Sequence, residues 1–141
     1  MSRSNSKPLV LFVCIGNTCR SPMAEGIFRN LAGDRFEAAS AGIDGYWDTA
    51  QPATVASMRE KGIDISGHSC RHIREFSGDR IEAVFTLDSS VENSVTSTLK
   101  HVKEFVHWEI PDPYHGGPEE YRRIRNDIER RLVEWLAKRG T

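Results

Sequence analysis

The stretch Pro8-Leu9-Val10-Leu11-Phe12-Val13-Cys14-Ile15-Gly16-Asn17-Thr18-Cys19-Arg20-Ser21-Pro22 changes character twice. As far as Cys14 it is continuously apolar and rich in branched side chains. A run this short, with no polar alternation, fits a strand covered on both faces, as in a parallel sheet. Gly16, Asn17 and Thr18 then form a turn. Ser21 offers an N-cap hydroxyl, and Pro22 fits the first helical position, where its missing N–H costs nothing. Met23, Ile27, Phe28 and Leu31 follow at helical spacing, with Gly33 placed to stop the helix. The stretch therefore reads as strand, tight loop and helix.

The same grammar continues outward. Phe36 to Ala41 is expected as a second strand ending at Gly42, and Pro52 to Lys61 as a helix stopped by Gly62. Ala83 to Leu87 is a third apolar run, after which Asp88 or Ser89 caps a helix towards Leu99. Val102 to Val106 is expected as a short fourth strand. From Pro118 to Arg139 one face is marked by Tyr121, Ile124, Ile128, Leu132 and Trp135. Glu119 and Glu120 at its start and Lys138 and Arg139 at its end complement the helix dipole. Strands alternating with helices place the chain in the α/β class with a parallel sheet. In such folds ligands bind beyond the carboxyl ends of the strands, which singles out the segment after strand one.

That segment has the parts of an anion-binding nucleophile site. Successive N–H groups of a tight loop form an anion nest, and the helix N-terminus adds positive potential. Arg20 offers a planar fork for two oxyanion oxygens. A cysteine in that field is a ready nucleophile, and Cys14 closes the strand that feeds the loop. Gly16 and Asn17 are residue types that tolerate a left-handed backbone.

The 141 residues suit one domain, expected over residues 8–141 behind a loose polar tail at 1–7. No repeat or Pro/Gly/Ser-rich linker divides them. Nineteen basic and 20 acidic residues exclude a strongly basic footprint for nucleic acid. Arg122, Arg123, Arg125, Arg130 and Arg131 alternate with Glu119, Glu120, Asp127, Glu129 and Glu134, the pattern of a solvated helix face. No apolar run reaches the roughly 18 residues of a membrane helix. Met1 to Ser6 lacks the apolar core of a secretion signal, and three cysteines fit a reducing compartment, so a cytoplasmic location is expected. His68, Cys70 and His72 alternate without an evident fourth ligand; they read as a solvated turn, and no metal site is expected.

Val13-Cys14-Ile15-Gly16-Asn17-Thr18-Cys19-Arg20-Ser21-Pro22-Met23-Ala24-Glu25 resembles the signature of the low-molecular-weight protein tyrosine phosphatases and their relatives. The resemblance runs from Leu9 to Arg139 and includes Ser40-Ala41-Gly42, the segment from Gly62 to His68, and Asp112-Pro113-Tyr114; His68 and Arg71 also resemble a structural motif of the family. It implies a single-domain, three-layer fold: a four-stranded parallel sheet flanked by helices, with the phosphate-binding loop after strand one. It also implies a two-step reaction without metal or other cofactor. Cys14 would attack phosphorus and form a phosphocysteine, while Arg20 and the amides of Ile15, Gly16, Asn17, Thr18 and Cys19 hold the oxygens. Ser21 would hydrogen-bond the Cys14 thiolate, Asn17 would hold the loop shape, and Asp112 would serve as general acid and then base. A bell-shaped pH profile follows.

Three kinds of relative share the loop. Tyrosine phosphatases need a slot with aromatic walls. Tyr46 and Trp47 stand where they carry one wall, and Tyr114 matches the other. Arsenate reductases resemble this chain at Gly33 to Glu37, Gly62 to Gly67 and His107 to Asp112. Their thioredoxin-linked members carry two cysteines around the third strand, and Phe85 to Ser94 has none; Cys70 or an external thiol would have to substitute. Asp88 lacks the Asn that many tyrosine phosphatases show three residues on, where Val91 stands. Arginine phosphatases resemble this loop in having Thr at position 18. Cys19 is a candidate disulfide partner for Cys14 or a spectator thiol. The expected activity is hydrolysis of protein phosphotyrosine, with a phosphorylated protein as partner and phosphate or an arsenate-like oxyanion in the loop. Arsenate reduction, phosphoarginine hydrolysis and a non-catalytic phosphopeptide-binding module are the alternatives. Neither nucleic acid nor membrane is expected as a partner.

Overall fold

β1 (Leu9–Val13) is buried along its whole length, and neighbours on both sides bury it. In the computed structural model, described for residues 7–45 and 47–139, it pairs in parallel with β2 (Glu37–Ala41) and β3 (Ile81–Thr86). β4 (Glu104–His107) pairs in parallel with β3, giving the order β2-β1-β3-β4. Val13 lies opposite both Ala41 and Thr86, so three strands end at one level and their following loops meet there.

Alternation along β1 divides the core into two layers. Val10 and Phe12 face α1 (Arg20–Ala32), α2 (Pro52–Arg59) and α4 (Pro118–Lys138) through Met23, Phe28, Met58, Ile128 and Leu132. Leu9, Leu11 and Val13 face the other way, towards Ile73, Val95 and Leu99, with Val95 on α3 (Glu92–Thr98). Phe12 stacks on Phe85 at 4.9 Å between ring centroids and meets Phe28 edge-on at 5.6 Å. Each of these buried rings contributes roughly 2 kcal/mol from area alone. The architecture is a single-domain α/β sandwich of three layers.

Several boundaries differ from the sequence expectation. β4 begins at Glu104 rather than Val102, because an edge strand with one open face need not be apolar. Asp88 caps a one-turn 3₁₀ helix, Ser89–Val91, through Ser90 N–H, and α3 follows it. Gly33 does end α1, but in a right-handed conformation. Its place is fixed by space instead: a Cβ there would meet Arg29 O at 2.5 Å. The expected tail falls almost wholly outside the described residues; Lys7, its last residue, donates to Gly33 O at 2.7 Å. No helix among the described residues is long and apolar enough to cross a membrane.

Candidate active site

Residues 14–19 connect β1 to α1 at the level where the strands end. The loop is closed by Asn17, whose backbone is left-handed at φ 59°. Gly16 does not use that conformation. It is small for another reason: a Cβ there would stand 3.0 Å from Trp47 Cδ1. The Asn17 side chain ties three segments together. Its Nδ2 donates to Ser21 Oγ at 2.8 Å and to Ser40 Oγ at 2.9 Å, and its Oδ1 accepts from Arg71 N–H at 2.9 Å.

Ser21 is not the N-cap. α1 begins one residue earlier, at Arg20, which places Ser21 inside the first turn, its hydroxyl 2.9 Å from Cys14 Sγ. Because Ser21 Oγ accepts from Asn17, its own single proton is free to point at the sulfur. Both residues are buried, Cys14 at 2% exposure. Asn17→Ala is expected to cost roughly 3 kcal/mol, from the lost hydrogen bonds and a Cβ residue held at positive φ. Urea unfolding measures this, and Asn17→Gly, which relieves the backbone part, should lose less.

The His68 to His72 segment is not a solvated turn. It forms a strap behind the loop. Asn17 O accepts from His68 Nε2 at 2.9 Å and from Cys70 Sγ at 3.1 Å, and His72 Nε2 lies 3.0 Å from Ile43 O. Among the described residues no His/Cys/Asp/Glu cluster is placed to hold a metal. Glu25 extends the network by accepting from Ser40 Oγ. This role of Glu25 carries no local sequence pattern, and the strap carries none beyond the resemblance of His68 and Arg71 to a family structural motif; their meaning comes from contacts 15 to 54 residues away.

Arg20 is 2% exposed and held by one end. Its Nη1 donates to Asp88 Oδ2 at 2.8 Å, Ile110 O at 2.8 Å and Leu87 O at 3.4 Å. Burial opposes its charge, but Cys14, Asp88 and Asp112 outweigh that and keep the guanidinium above its usual range. Burial likewise works against a charged Asp88, while the Ser90 hydroxyl and N–H and then Arg20 hold that carboxyl below the usual range. Arg20 Nε is buried and has no hydrogen-bond partner among the described residues, and Nη2 is 3.7 Å from Asp112 Oδ2. The fork is thus anchored at Nη1 and free to bind an oxyanion with its other nitrogens.

Cys14, Thr18, Arg20 and Asp112 line one cleft, with Trp47 and Tyr114 at its mouth. Asp112 is about half exposed, and its Oδ1 accepts from Tyr114 N–H at 3.1 Å. The rings of Trp47 and Tyr114 lie 6.4 Å apart, tilted at 58°. Tyr46, the other candidate wall, lies outside the described residues. Cys19 is buried against Tyr121 and Thr18, and burial pushes its thiol up.

The family model described as low molecular weight phosphotyrosine protein phosphatase matches residues 9–139. The chain belongs to that family. Its relatives there differ in activity. Arsenate reductase 2 of Staphylococcus haemolyticus is 34% identical over 132 residues, covering 94% of this chain and 98% of the relative. The low-molecular-weight protein tyrosine phosphatase of T. tengcongensis superposes with a TM-score of 0.79 at 31% identity, covering 94% of this chain and 99% of that one. An arginine phosphatase with a phosphorylated active-site serine superposes with a TM-score of 0.79 at 27% identity, covering 93% and 94%. Family membership therefore gives a cysteine-based enzyme, phosphatase or arsenate reductase, and leaves the substrate to the cleft.

Proposed function

We propose that this protein is a protein-tyrosine phosphatase that works through a phosphocysteine on Cys14. The observation that carries this reading is the pair Trp47 and Tyr114 standing over a cleft that holds both Cys14 and Asp112. Arsenate needs no aromatic walls; a phosphorylated phenol does, because its ring leaves water and stacks.

The loop N–H groups and the free side of Arg20 take the phosphoryl oxygens. Cys14 Sγ, stabilised by the Ser21 hydroxyl, attacks phosphorus as the phenolic oxygen leaves with a proton from Asp112. Water then attacks the phosphocysteine and gives its proton to the Asp112 carboxylate. Phosphate departs, and the thiolate returns to its place beside Ser21. No step calls on a metal or organic cofactor.

Arsenate reduction is the second reading, favoured by relatives such as the Staphylococcus enzyme. It requires thiols to carry electrons. The turn after β3 runs Leu87-Asp88-Ser89-Ser90-Val91 without one. Cys70 donates to Asn17 O, and burial pushes its thiol up to about 11, which keeps it protonated and slow to attack at neutral pH. A reductase built on this chain would depend on an external thiol.

The deciding assay measures phosphate release from a phosphotyrosine peptide, with EDTA and a thiol present, beside thiol-coupled arsenate consumption. Phosphate release that requires Cys14 supports the phosphatase. Arsenate turnover without it would overturn that reading. Within the phosphatase reading, Trp47→Ala is expected to raise the KM for phosphotyrosine peptides about fivefold, the worth of one stacking contact near 1 kcal/mol. Inhibition by inorganic phosphate, which needs only the loop, should change little; steady-state kinetics with phosphate as competitor measures both.

A further inference from the structure

The second half of the reaction needs something the first does not. A water molecule must stand in line with the S–P bond of the phosphocysteine, on the side the phenol has left, with a lone pair facing phosphorus. Asp112 takes one of its protons, but one hydrogen bond to a carboxylate leaves a water free to swing about it. The loop amides and Arg20 are occupied by the phosphoryl oxygens. Gln51 lines the same cleft. It is the N-cap residue of α2, yet its side chain caps nothing, and Pro52 opens the helix behind it. Its N–H donates to Thr18 O at 3.0 Å, so the residue is tied to the phosphate loop. Its half-buried side chain forms no hydrogen bond among the described residues, and unlike Arg20 Nε the amide stays open to solvent. Of the other polar side chains in the cleft, Thr18 points its hydroxyl at Cys19 Sγ, and Asp44 has one oxygen sealed from solvent. A neutral amide donates and accepts without changing charge, which suits it to hold a neutral nucleophile beside a carboxylate.

We propose that Gln51 positions the water that hydrolyses the phosphocysteine. This rests on the phosphatase reading of the same cleft and deepens it, by giving the second step a residue of its own. Gln51 Oε1 accepts the water proton that Asp112 does not take, which turns a lone pair of the water towards phosphorus. The new O–P bond forms as the S–P bond breaks. Cys14 Sγ keeps the electron pair of that bond and returns as thiolate. One water proton passes to the Asp112 carboxylate, and the other stays on the phosphate oxygen, still held by Gln51. In the first step the leaving phenolic oxygen fills that place, and Gln51 has no water to hold.

The test follows an activated aryl phosphate by rapid quench in the native protein, Gln51→Met and Gln51→Ala. Both variants keep the backbone bond to Thr18 O, and methionine also keeps the length of the side chain. The expected result is a burst of phenol release at a rate within about twofold of native, followed by a steady state about tenfold slower, the worth of one hydrogen bond in the transition state. Acid-quenched variant protein should carry more phosphocysteine than the native protein does. Burst and steady state falling by the same factor, with no added phosphocysteine, would mean that Gln51 only shapes the loop and would overturn the proposal. A steady state unchanged in both variants, again with no added phosphocysteine, overturns it as well and leaves the phosphatase reading intact. Native protein that releases no phosphate from the aryl ester removes the proposal and the reading beneath it together.

Discussion

Cys14→Ser is expected to lower turnover of a phosphotyrosine peptide on the order of 10⁴-fold or more, the scale on which loss of a nucleophile acts in enzymes whose groups work as a unit. Serine is close in size, and among the described residues Cys14 Sγ has Ser21 Oγ as its side-chain partner, which a serine hydroxyl also satisfies. The fold should therefore survive. So should oxyanion binding, since the loop amides and Arg20 are untouched. Phosphate release measured beside phosphate binding by calorimetry separates the two effects. Binding retained with turnover lost assigns the chemistry to Cys14. Turnover retained would move it elsewhere, and turnover absent even from the native protein, with phosphate still bound, would favour a phosphopeptide-binding module.

Asp112→Asn is expected to cost 10²- to 10⁴-fold with a poor leaving group, the usual worth of a positioned general acid. The loss should shrink for an activated aryl phosphate, whose leaving oxygen needs little help from a proton. The pH profile gives an independent check. Asp112 must be protonated to donate, so native activity should fall on the alkaline side as that proton is lost. In the Asn variant there is no such proton, and the alkaline fall should disappear. A variant that loses the same factor with both leaving groups and keeps the native pH profile would reduce Asp112 to a structural turn residue before Pro113.

The parts of this molecule that repeat a local rule could be read in its sequence. β1 and the start of α1 have adjacent and opposite patterns, a buried strand and an amphipathic helix, with a loop of turn-forming residues between them. α4 announces itself by apolar periodicity and by charges of the right sign at each end. The edge strand β4 was harder, because its burial pattern mixes half-buried and exposed positions. The site divides in the same way. Cys14, Arg20 and Ser21 lie together in sequence, so their grouping was legible, but the direction of the Ser21 hydroxyl depends on Asn17. Asp88 has a local meaning as a cap, which its Oδ1 fulfils with Ser90, and its Oδ2 has a distant one with Arg20. His68 and Arg71 resemble a structural motif of the family, while the local pattern from His68 to His72 reads as a solvated turn; only the closed fold brings them onto Asn17. Gly16 and Gly33 were expected to serve backbone freedom, and both instead make room for a neighbour.

The three acceptors that fix Arg20 lie 67, 68 and 90 positions further along the chain. The signature loop is therefore not a transplantable module. A peptide spanning β1, the loop and α1 would carry the nucleophile and the arginine, but nothing to aim the arginine. Any fragment ending before Ile110 would lack one of its anchors. Catalysis in this fold belongs to the closed sheet rather than to the motif, and a graft of the motif onto another strand–helix junction would need the far loops copied with it.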